Sequence, residues 1–438
     1  VRLAALAPDL SPVKGNRPFR NLIVGDAVSV VGTQVTTVAI PLQVYEITRS
    51  SGAVGLVGLV GLLPLVLLGL YGGAIADAVD RRRLVILTTC GQAVLSAVLL
   101  TQAVLHLERL WLLYAVIAVQ SGLFAVDSPA RQAFVPRLVA PEQLAGANAL
   151  RQVEFNIGVT IGPLLAGVLA THFGFATAYG LDAVSFAASI LAVYGLPSMP
   201  PEGGGRKAGL ASVVEGLVFL RRRQILLTTF VLDLIAMVMG MPRALFPAFA
   251  AEVYGGGEQT AGLLYSALAV GALLGALTSG WVGRVHRHGI AIAWAVAAWG
   301  AAVAGFGISH WLWLGLLMLA LAGAADMVSA VFRVAVLQVA APDELRGRIN
   351  GVFTVVVAGG PRLGDGRAGG TAAVVGPEAA TLVGGLAVIG LTGVVLARSP
   401  RFRAYDTRSY AGEALPEAVA LAEAELSSGD DRGPRPGP

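Results

Sequence analysis

The sequence predicts an all-α, polytopic membrane protein of about twelve transmembrane helices in two pseudo-symmetric bundles of six. Three observations carry this. Of 438 residues, 55% are hydrophobic and only 13% charged, whereas a soluble domain uses about 25% charged residues to cover its surface. Lipid can serve as the solvent of such a chain; water cannot. The apolar residues also fall into runs of about 20, the length that crosses a hydrocarbon core at 1.5 Å rise per residue. Finally, short motifs recur at corresponding places in the two halves.

Apolar runs place the spans at roughly 20–44, 53–76, 84–105, 110–131, 145–170 and 176–196, then 224–250, 260–284, 290–309, 312–335, 348–370 and 378–397. Nearly every connection is short. The long one, 197–223, holds Pro200-Pro201-Glu202-Gly203-Gly204-Gly205 and reads as a flexible linker with a short amphipathic helix after it. The expected organisation is an N-terminal tail over 1–18, a first bundle over 19–197, a central loop over 198–222, a second bundle over 223–400, and a polar, disordered tail over 401–438. The first residues do not read as a cleaved signal, so the first span is expected to act as its own insertion signal.

Arginine distribution sets the expected orientation. One set of loops holds Arg81, Arg82, Arg83, Arg137, Arg206, Arg221, Arg284, Arg287, Arg346, Arg398 and Arg403, and the other little beyond Arg49 and Arg109. Both termini are therefore expected in the cytoplasm, with the protein multi-pass in the plasma membrane. The basic balance marks topology rather than a nucleic-acid partner. Neither Lys14 nor Lys207, the only lysines, lies in a Gly-x-x-x-x-Gly-Lys-[Ser/Thr] loop, which argues against ATP-driven pumping by this chain. The one cysteine, Cys90, excludes an intrachain disulfide, and the five histidines form no ligand set, so no metal or cofactor is expected.

Val139-Ala140-Pro141-Glu142-Gln143-Leu144 after span four is echoed by Ala340-Ala341-Pro342-Asp343-Glu344-Leu345 after span ten. Gly162-Pro163 in span five is echoed by Gly360-Pro361 in span eleven, and the stretch at 72–83 by Gly280-Trp281-Val282-Gly283-Arg284. Such duplication suggests a pseudo-twofold carrier with its site between the halves.

Within 72–83, Gly73, Asp77, Arg81 and Arg82 resemble the loop between helices 2 and 3 of major facilitator superfamily transporters, with Ala78 and Asp80 departing from the pattern. The resemblance covers about 19–403. Pro242-Arg243-Ala244-Leu245-Phe246-Pro247-Ala248 and Gly347-Arg348-Ile349-Asn350-Gly351 look more narrowly like the enterobactin (siderophore) exporter subgroup. The resemblance implies a conformational latch, with Asp77 near the start of span eleven and held by Arg81 and Arg82. It also implies an antiporter-type fifth helix through Gly158, Gly162, Pro163 and Gly167. Ile117-Ala118-Val119-Gln120-Ser121-Gly122 lacks the arginine that drug/proton antiporters carry in span four.

Ionisable residues inside spans mark function or close pairing. Asp26 lies about two turns into span one without a local partner, on the same face as Gln34. Asp127 and Arg131 lie at i,i+4, Arg151 and Glu154 at i,i+3, and Asp326 and Arg333 two turns apart, while Asp182 and Asp233 stand alone. Asp26, Glu154 and Asp326 are candidates for the coupling proton. Gln34, Asp127, Arg131, Asp233, Arg243, Arg333 and Arg362 are candidates for the substrate cavity. Arg243, Arg362 and Arg367 could attract an anionic substrate, or simply pair with Asp365.

The resemblance implies a secondary active exporter, not an enzyme, that works as a monomer in the bilayer. It would move a small amphiphilic molecule outward by alternating access, with the proton gradient as energy source and a siderophore-like cargo favoured. The alternatives are a multidrug or antibiotic efflux carrier of the same fold, or a non-transporting receptor or assembly subunit.

Overall fold

The computed structural model describes residues 10–200, 221, 223–340 and 346–406; within its helices the side chains at 70, 73, 74, 77, 339, 340 and 346–355 fall outside the description. The expected amphipathic helix of the central loop and the C-terminal tail lie outside the described residues. So does most of the motif that echoes 139–144.

Helices α1 to α4 are Arg17–Thr48, Ser51–Ala78, Arg81–Val104 and Leu110–Gln132. A single 51-residue helix, Leu144–Tyr194, supplies both α5 (144–173) and α6 (175–194) by bending at Gly174, where φ is 77°. Glycine alone takes that angle without steric cost, so the loop expected between spans five and six is a kink. Helix α7, Gln224–Gly240, stops short of the expected end of span seven. Pro242 has no N–H to donate and cannot continue the ladder, and the chain goes on through short turns at Arg243–Leu245 and Phe249–Val253. Helices α8 to α12 are Glu258–Leu277, His288–Gly307, Leu312–Ala340, Arg346–Val375 and Pro377–Arg398. Among the described residues ten segments are long and apolar enough to cross a membrane, the bent α5–α6 helix counting as one.

Polar side chains fix where the first helices begin. Phe19 N donates to Asn16 Oδ1 at 3.0 Å, Ala53 N to Ser50 Oγ at 3.4 Å and Arg83 N to Asp80 Oδ1 at 3.0 Å. Each satisfies one of the amides that a helix start leaves unpaired.

Helix α1 packs on the α5–α6 helix and α2 on α4, while α8 packs on α10 and α9 on both α10 and α12. Between bundles, α2 meets α11 and α5 meets α8. Large apolar side chains such as Leu87, Val184, Leu191 and Trp294 are more than 70% exposed, as a lipid-facing surface requires. Trp111, Trp311 and Trp313 are also exposed, at the starts of α4 and α10 where an interfacial belt would lie.

Close backbone contact holds α8 against α10. A Cβ on Gly271 would stand 1.9 Å from the Ala320 carbonyl oxygen, and one on Gly323 would stand 2.0 Å from that of Leu268. Lipid offers no hydrophobic drive for helix association, so small residues and dispersion contacts carry it.

The two ends of the molecule differ. Toward the arginine-poor end one apolar cluster crosses both bundles, with Val35 and Tyr45 of α1, Phe246 and Phe249 after α7, Leu264 of α8 and Ala368 of α11. In the arginine-rich half, Leu226, Phe332 and Phe402 belong to one cluster, and Leu22, Val85 and Phe134 to another. Among the described residues the bundles share a core at one end and have separate cores at the other.

Gly271→Ala should lower thermal stability in detergent by about 1–3 kcal/mol, the usual cost of overpacking. Gly390→Ala, with nothing within 4 Å of the added carbon, should leave the melting temperature unchanged or slightly raised. Equal melting of the two variants would show that α8 and α10 do not meet backbone to backbone.

Candidate functional site

A cavity of about 270 Å³ lies within the first bundle, lined among others by Asp26, Gln34, Asp127, Arg131, Arg151 and Glu154. It occupies the arginine-rich half, beside the first turns of α5 and the last turns of α4. Five of the polar residues marked in the sequence, Asp26, Gln34, Asp127, Arg131 and Glu154, thus meet on one wall. Asp233, Arg243, Arg333 and Arg362 are not among its lining residues.

Arg131 organises this wall. Its Nε donates to Asp127 Oδ2 at 2.5 Å, which the i,i+4 spacing predicts. Its Nη1 donates to Asp26 Oδ1 at 2.5 Å and to Ser189 Oγ at 3.1 Å, and its Nη2 to Thr89 Oγ1 at 2.7 Å. Asp26, without a partner on its own helix, is therefore paired from α4. Ser189 and Thr88 complete the carboxylates by donating to Asp26 at 3.1 Å and Asp127 at 2.6 Å. Charge-assisted bonds of this kind are about twice as strong as neutral ones, and here both partners have left water.

The expected Arg151–Glu154 pair does not form that way. Arg151 Nη1 donates to the Arg131 carbonyl at 3.0 Å. Glu154 is buried, and its Oε2 has no hydrogen-bond partner among the described residues.

The second bundle repeats the arrangement. Arg333 of α10 bonds to Asp233 of α7, and its Nη2 reaches Asp326 Oδ1 at 3.4 Å. Asp233 is thus not solitary, and α7 and α10 mirror α1 and α4. Asp182 of α6, the other aspartate read as unpaired, accepts from Ser96 Oγ at 2.7 Å.

Two arginines near the closed end bond away from Asp365. Arg367 Nε and Nη2 donate to the carbonyls of Val238 at 3.0 Å and Met239 at 2.7 Å. It thereby caps the broken C-terminus of α7, where carbonyls lack amide partners. Arg362 Nη1 donates to Ser121 Oγ of α4 at 2.9 Å.

The helices of the antiporter-type motif approach as small residues permit. A Cβ on Gly158 would meet Val30 Cγ1 at 2.4 Å, and one on Gly162 would meet Gln34 Cβ at 2.4 Å. Gly167 faces the start of α8, 2.7 Å from the Glu258 carbonyl oxygen by the same measure. The motif therefore serves two neighbours, α1 inside the bundle and α8 across it.

Gly73 and Asp77 fall in the last turns of α2, where the backbone is helical, and the Asp77 side chain lies outside the described residues. Arg82 is engaged elsewhere than the latch implies. Its Nη2 donates to the Tyr194 carbonyl at 2.5 Å and its Nε to that of Val193 at 3.3 Å, at the C-terminus of α6 where a cation is favoured. Arg81 N donates to the Met199 carbonyl at 3.1 Å. Asp80, a departure from the family pattern, has a task of its own. It accepts from Ser198 Oγ at 2.5 Å and Met199 N at 2.9 Å, pinning the start of the central connection to the first bundle. Partial burial raises its carboxyl, but the bonds from Ser198, Arg83 and Met199 together hold it below the usual range.

The residues that sequence reading missed are Thr88, Thr89, Ser121 and Ser189. Small hydroxyls inside an apolar run resemble ordinary helix-packing residues, and only a partner from another helix reveals them.

Comparison with known proteins agrees with this geometry. The profile of the family described as transmembrane secretion effector matches residues 7–433. The enterobactin exporter EntS of Citrobacter koseri is 32% identical over 388 residues, covering 87% of this chain and 92% of that protein. The enterobactin exporter EntS of Escherichia coli O81 is 32% identical over 401 residues, covering 90% and 95%. Among solved structures, the nucleoside transporter NupG superposes with a TM-score of 0.72 at 11% identity, over 87% of this chain and 98% of that one. A bacterial homologue of the lysosomal transporter Spinster superposes with a TM-score of 0.65 at 16% identity, over 90% and 97%. This all-helical chain is a multi-span membrane transporter and belongs to the transmembrane secretion effector family of the major facilitator superfamily.

Proposed function

We propose that the chain is a proton-driven exporter of a small amphiphilic molecule of the siderophore type, working by alternating access as a monomer in the plasma membrane. The observation that carries this reading is the asymmetry between the two ends. Bundles joined at the arginine-poor end and a charged cavity in the arginine-rich half describe one of the two states that alternation requires. Cytoplasmic loops carry the excess of arginine, so this state faces inward with both termini in the cytoplasm. An exporter loads its cargo in that state. The name of the relatives, enterobactin exporter, supports both the direction and the siderophore class. Both bundles and the cavity belong to one chain, which supports the monomer.

Energy coupling is assigned to Glu154. Asp26 is answered by Arg131 and Ser189, and Asp326 and Asp233 share Arg333. Glu154 alone among these carboxyls has a buried oxygen without a bond while lining the cavity. An unbonded buried oxygen costs far more on a charged carboxylate than on a neutral acid, which suits this group to taking up a proton. The groups around it are Asp26 of α1, Asp127 and Arg131 of α4, and Arg151 of its own helix. Asp77 is assigned the role of latch in the outward-facing state, together with Gly73, Arg81 and Arg82.

Single cysteines in a Cys90→Ala background test the orientation. His172→Cys and His310→Cys should react with an impermeant thiol reagent added outside intact cells, and Arg206→Cys and Arg403→Cys should not. Outside labelling at Arg206→Cys would invert the topology and the direction of transport with it.

Proteoliposomes under an imposed proton gradient, screened over siderophores and hydrophobic drugs, test the cargo and the coupling. Glu154→Gln should abolish gradient-driven accumulation while downhill exchange of the same cargo continues at half the parent rate or better. Loss of both activities would assign Glu154 to packing or binding. Full retention of uphill flux would move the proton to another carboxyl.

A further inference from the structure

A second group of charges lies near the closed end, where α11 meets α2 and α4, and takes no part in the Arg131 wall. The break in α7 at Met241–Pro242 delivers Arg243 on a short turn, and α11 delivers Arg362 and Asp365 three residues apart. Asp365 accepts from Ala244 N at 3.2 Å. Arg243 carries its guanidinium 6.0 Å from the Tyr265 ring centroid, and the Tyr265 hydroxyl donates to the Arg243 carbonyl at 2.9 Å.

Arg362 has Asp365 within reach on its own helix at i,i+3, yet it turns to the other bundle and bonds to a neutral hydroxyl, Ser121 Oγ at 2.9 Å. A slot in α2 lets it through. A Cβ on Gly61 would lie 2.6 Å from Arg362 Nη1 and 2.8 Å from Ser121 Oγ. Two guanidiniums therefore stand near one carboxylate, and one of them is held by an acceptor that brings no charge. Arg243 and Arg362 are both only partly buried.

An anion offers Arg362 a stronger, two-pronged bond than a serine hydroxyl can. Losing Ser121 removes the hydrogen bond that ties α11 to α4 across the bundles. Among the described residues, other polar ties between the bundles at this end are Tyr45 to Glu252, Thr171 to Glu258, Gln259 N to Thr171 and Ser266 to the Thr160 carbonyl.

We propose that Arg243 and Arg362 form a subsite for an acidic group of the cargo, such as a carboxylate, and that its arrival releases Arg362 from Ser121 and loosens the outer closure. The subsite rests on the exporter reading above and specifies it: cargo charge becomes the signal that cargo has reached the interface between the bundles. Arg362 would then act twice, as a binding group for the cargo and as a tie that only bound cargo undoes.

The test uses the full chain in nanodiscs, in a Cys90→Ala background, with spin labels on Leu107→Cys and His310→Cys, which lie in outer loops of the two bundles. The probe is salicylate, with neutral salicylamide as its control. In the parent, salicylate should bind at least about tenfold tighter than salicylamide and lengthen the label-to-label distance. Ser121→Ala should lengthen that distance without any probe and keep the preference for salicylate. Arg362→Gln should lengthen it too but bind the two probes alike, while Arg362→Lys should retain part of the preference.

The proposal falls if Ser121→Ala leaves the distance as in the parent, or if Arg362→Gln and Arg362→Lys both keep the full preference for salicylate. Export failing in proteoliposomes while these results hold would overturn the exporter reading alone. Export at the parent rate in Arg362→Gln, with cargo charge still selected, would overturn the subsite alone.

Discussion

An arginine inside a bilayer has to have its charge answered by the protein, and the pairing of Arg131 with Asp26 and Asp127 is the interaction on which the first bundle depends. It ties α4 to α1 and, through Ser189 and Thr89, to α6 and α3. Four helices are thereby fixed around one guanidinium. Buried pairs of this kind contribute little net stability compared with apolar packing, yet removing one partner costs about 3–5 kcal/mol because a bare charge remains. Their value to this fold lies in specifying which helices meet and in what register. The same solution at Arg333 and Asp233 makes the pseudo-twofold relation chemical as well as geometric. In each bundle the first helix gives a carboxylate, the fourth gives the guanidinium, and the fourth also supplies a second carboxylate.

Much of this was legible in the sequence, and the illegible part has a common cause. The spans, the six-plus-six division and the Asp127–Arg131 and Asp326–Arg333 spacings all depend on periodicity within one helix. The Asp26–Arg131 bond joins residues 105 apart, and the Arg362–Ser121 bond joins residues 241 apart. No local pattern encodes such pairs. The missed kink has a different origin. The residues 171–175 contain one glycine and no proline, so nothing announced that two spans would remain one helix bent at Gly174. The bonds of Arg82 are illegible for the same reason as the long-range pairs, since the carbonyls that hold it lie 111 and 112 residues away.

Two kinds of helix contact divide the labour of staying folded and changing shape. Within the second bundle, α8 and α10 meet backbone to backbone at Gly271 and Gly323, and a shared apolar cluster surrounds α7, α9 and α10. Such packing is dense and bistable only at high cost. Between bundles, α2 and α11 also meet through glycines. A Cβ on Gly55 would stand 2.6 Å from the Asp365 carbonyl oxygen, and one on Gly369 would stand 2.4 Å from that of Ser51. Without side chains interdigitating at those points, the helices can part or slide with few rotamers to reorganise. The alternating access proposed above needs such an interface, because repeats that rock about a central site move as rigid bodies.

The positions of the two charged groups explain how rocking and cargo could be linked without a long pathway. The Arg131 wall lies inside one bundle, so relative motion of the bundles leaves its bonds intact while changing what its cavity faces. The Arg362–Ser121 bond lies between bundles, so no outward opening can occur without breaking it. A ligand changes a conformational equilibrium only through a difference in affinity for the two states. A bond that exists in one state alone, made by a residue able to bond the cargo instead, supplies that difference directly. In the proposed cycle the first group binds and carries charge, and the second registers what has been bound.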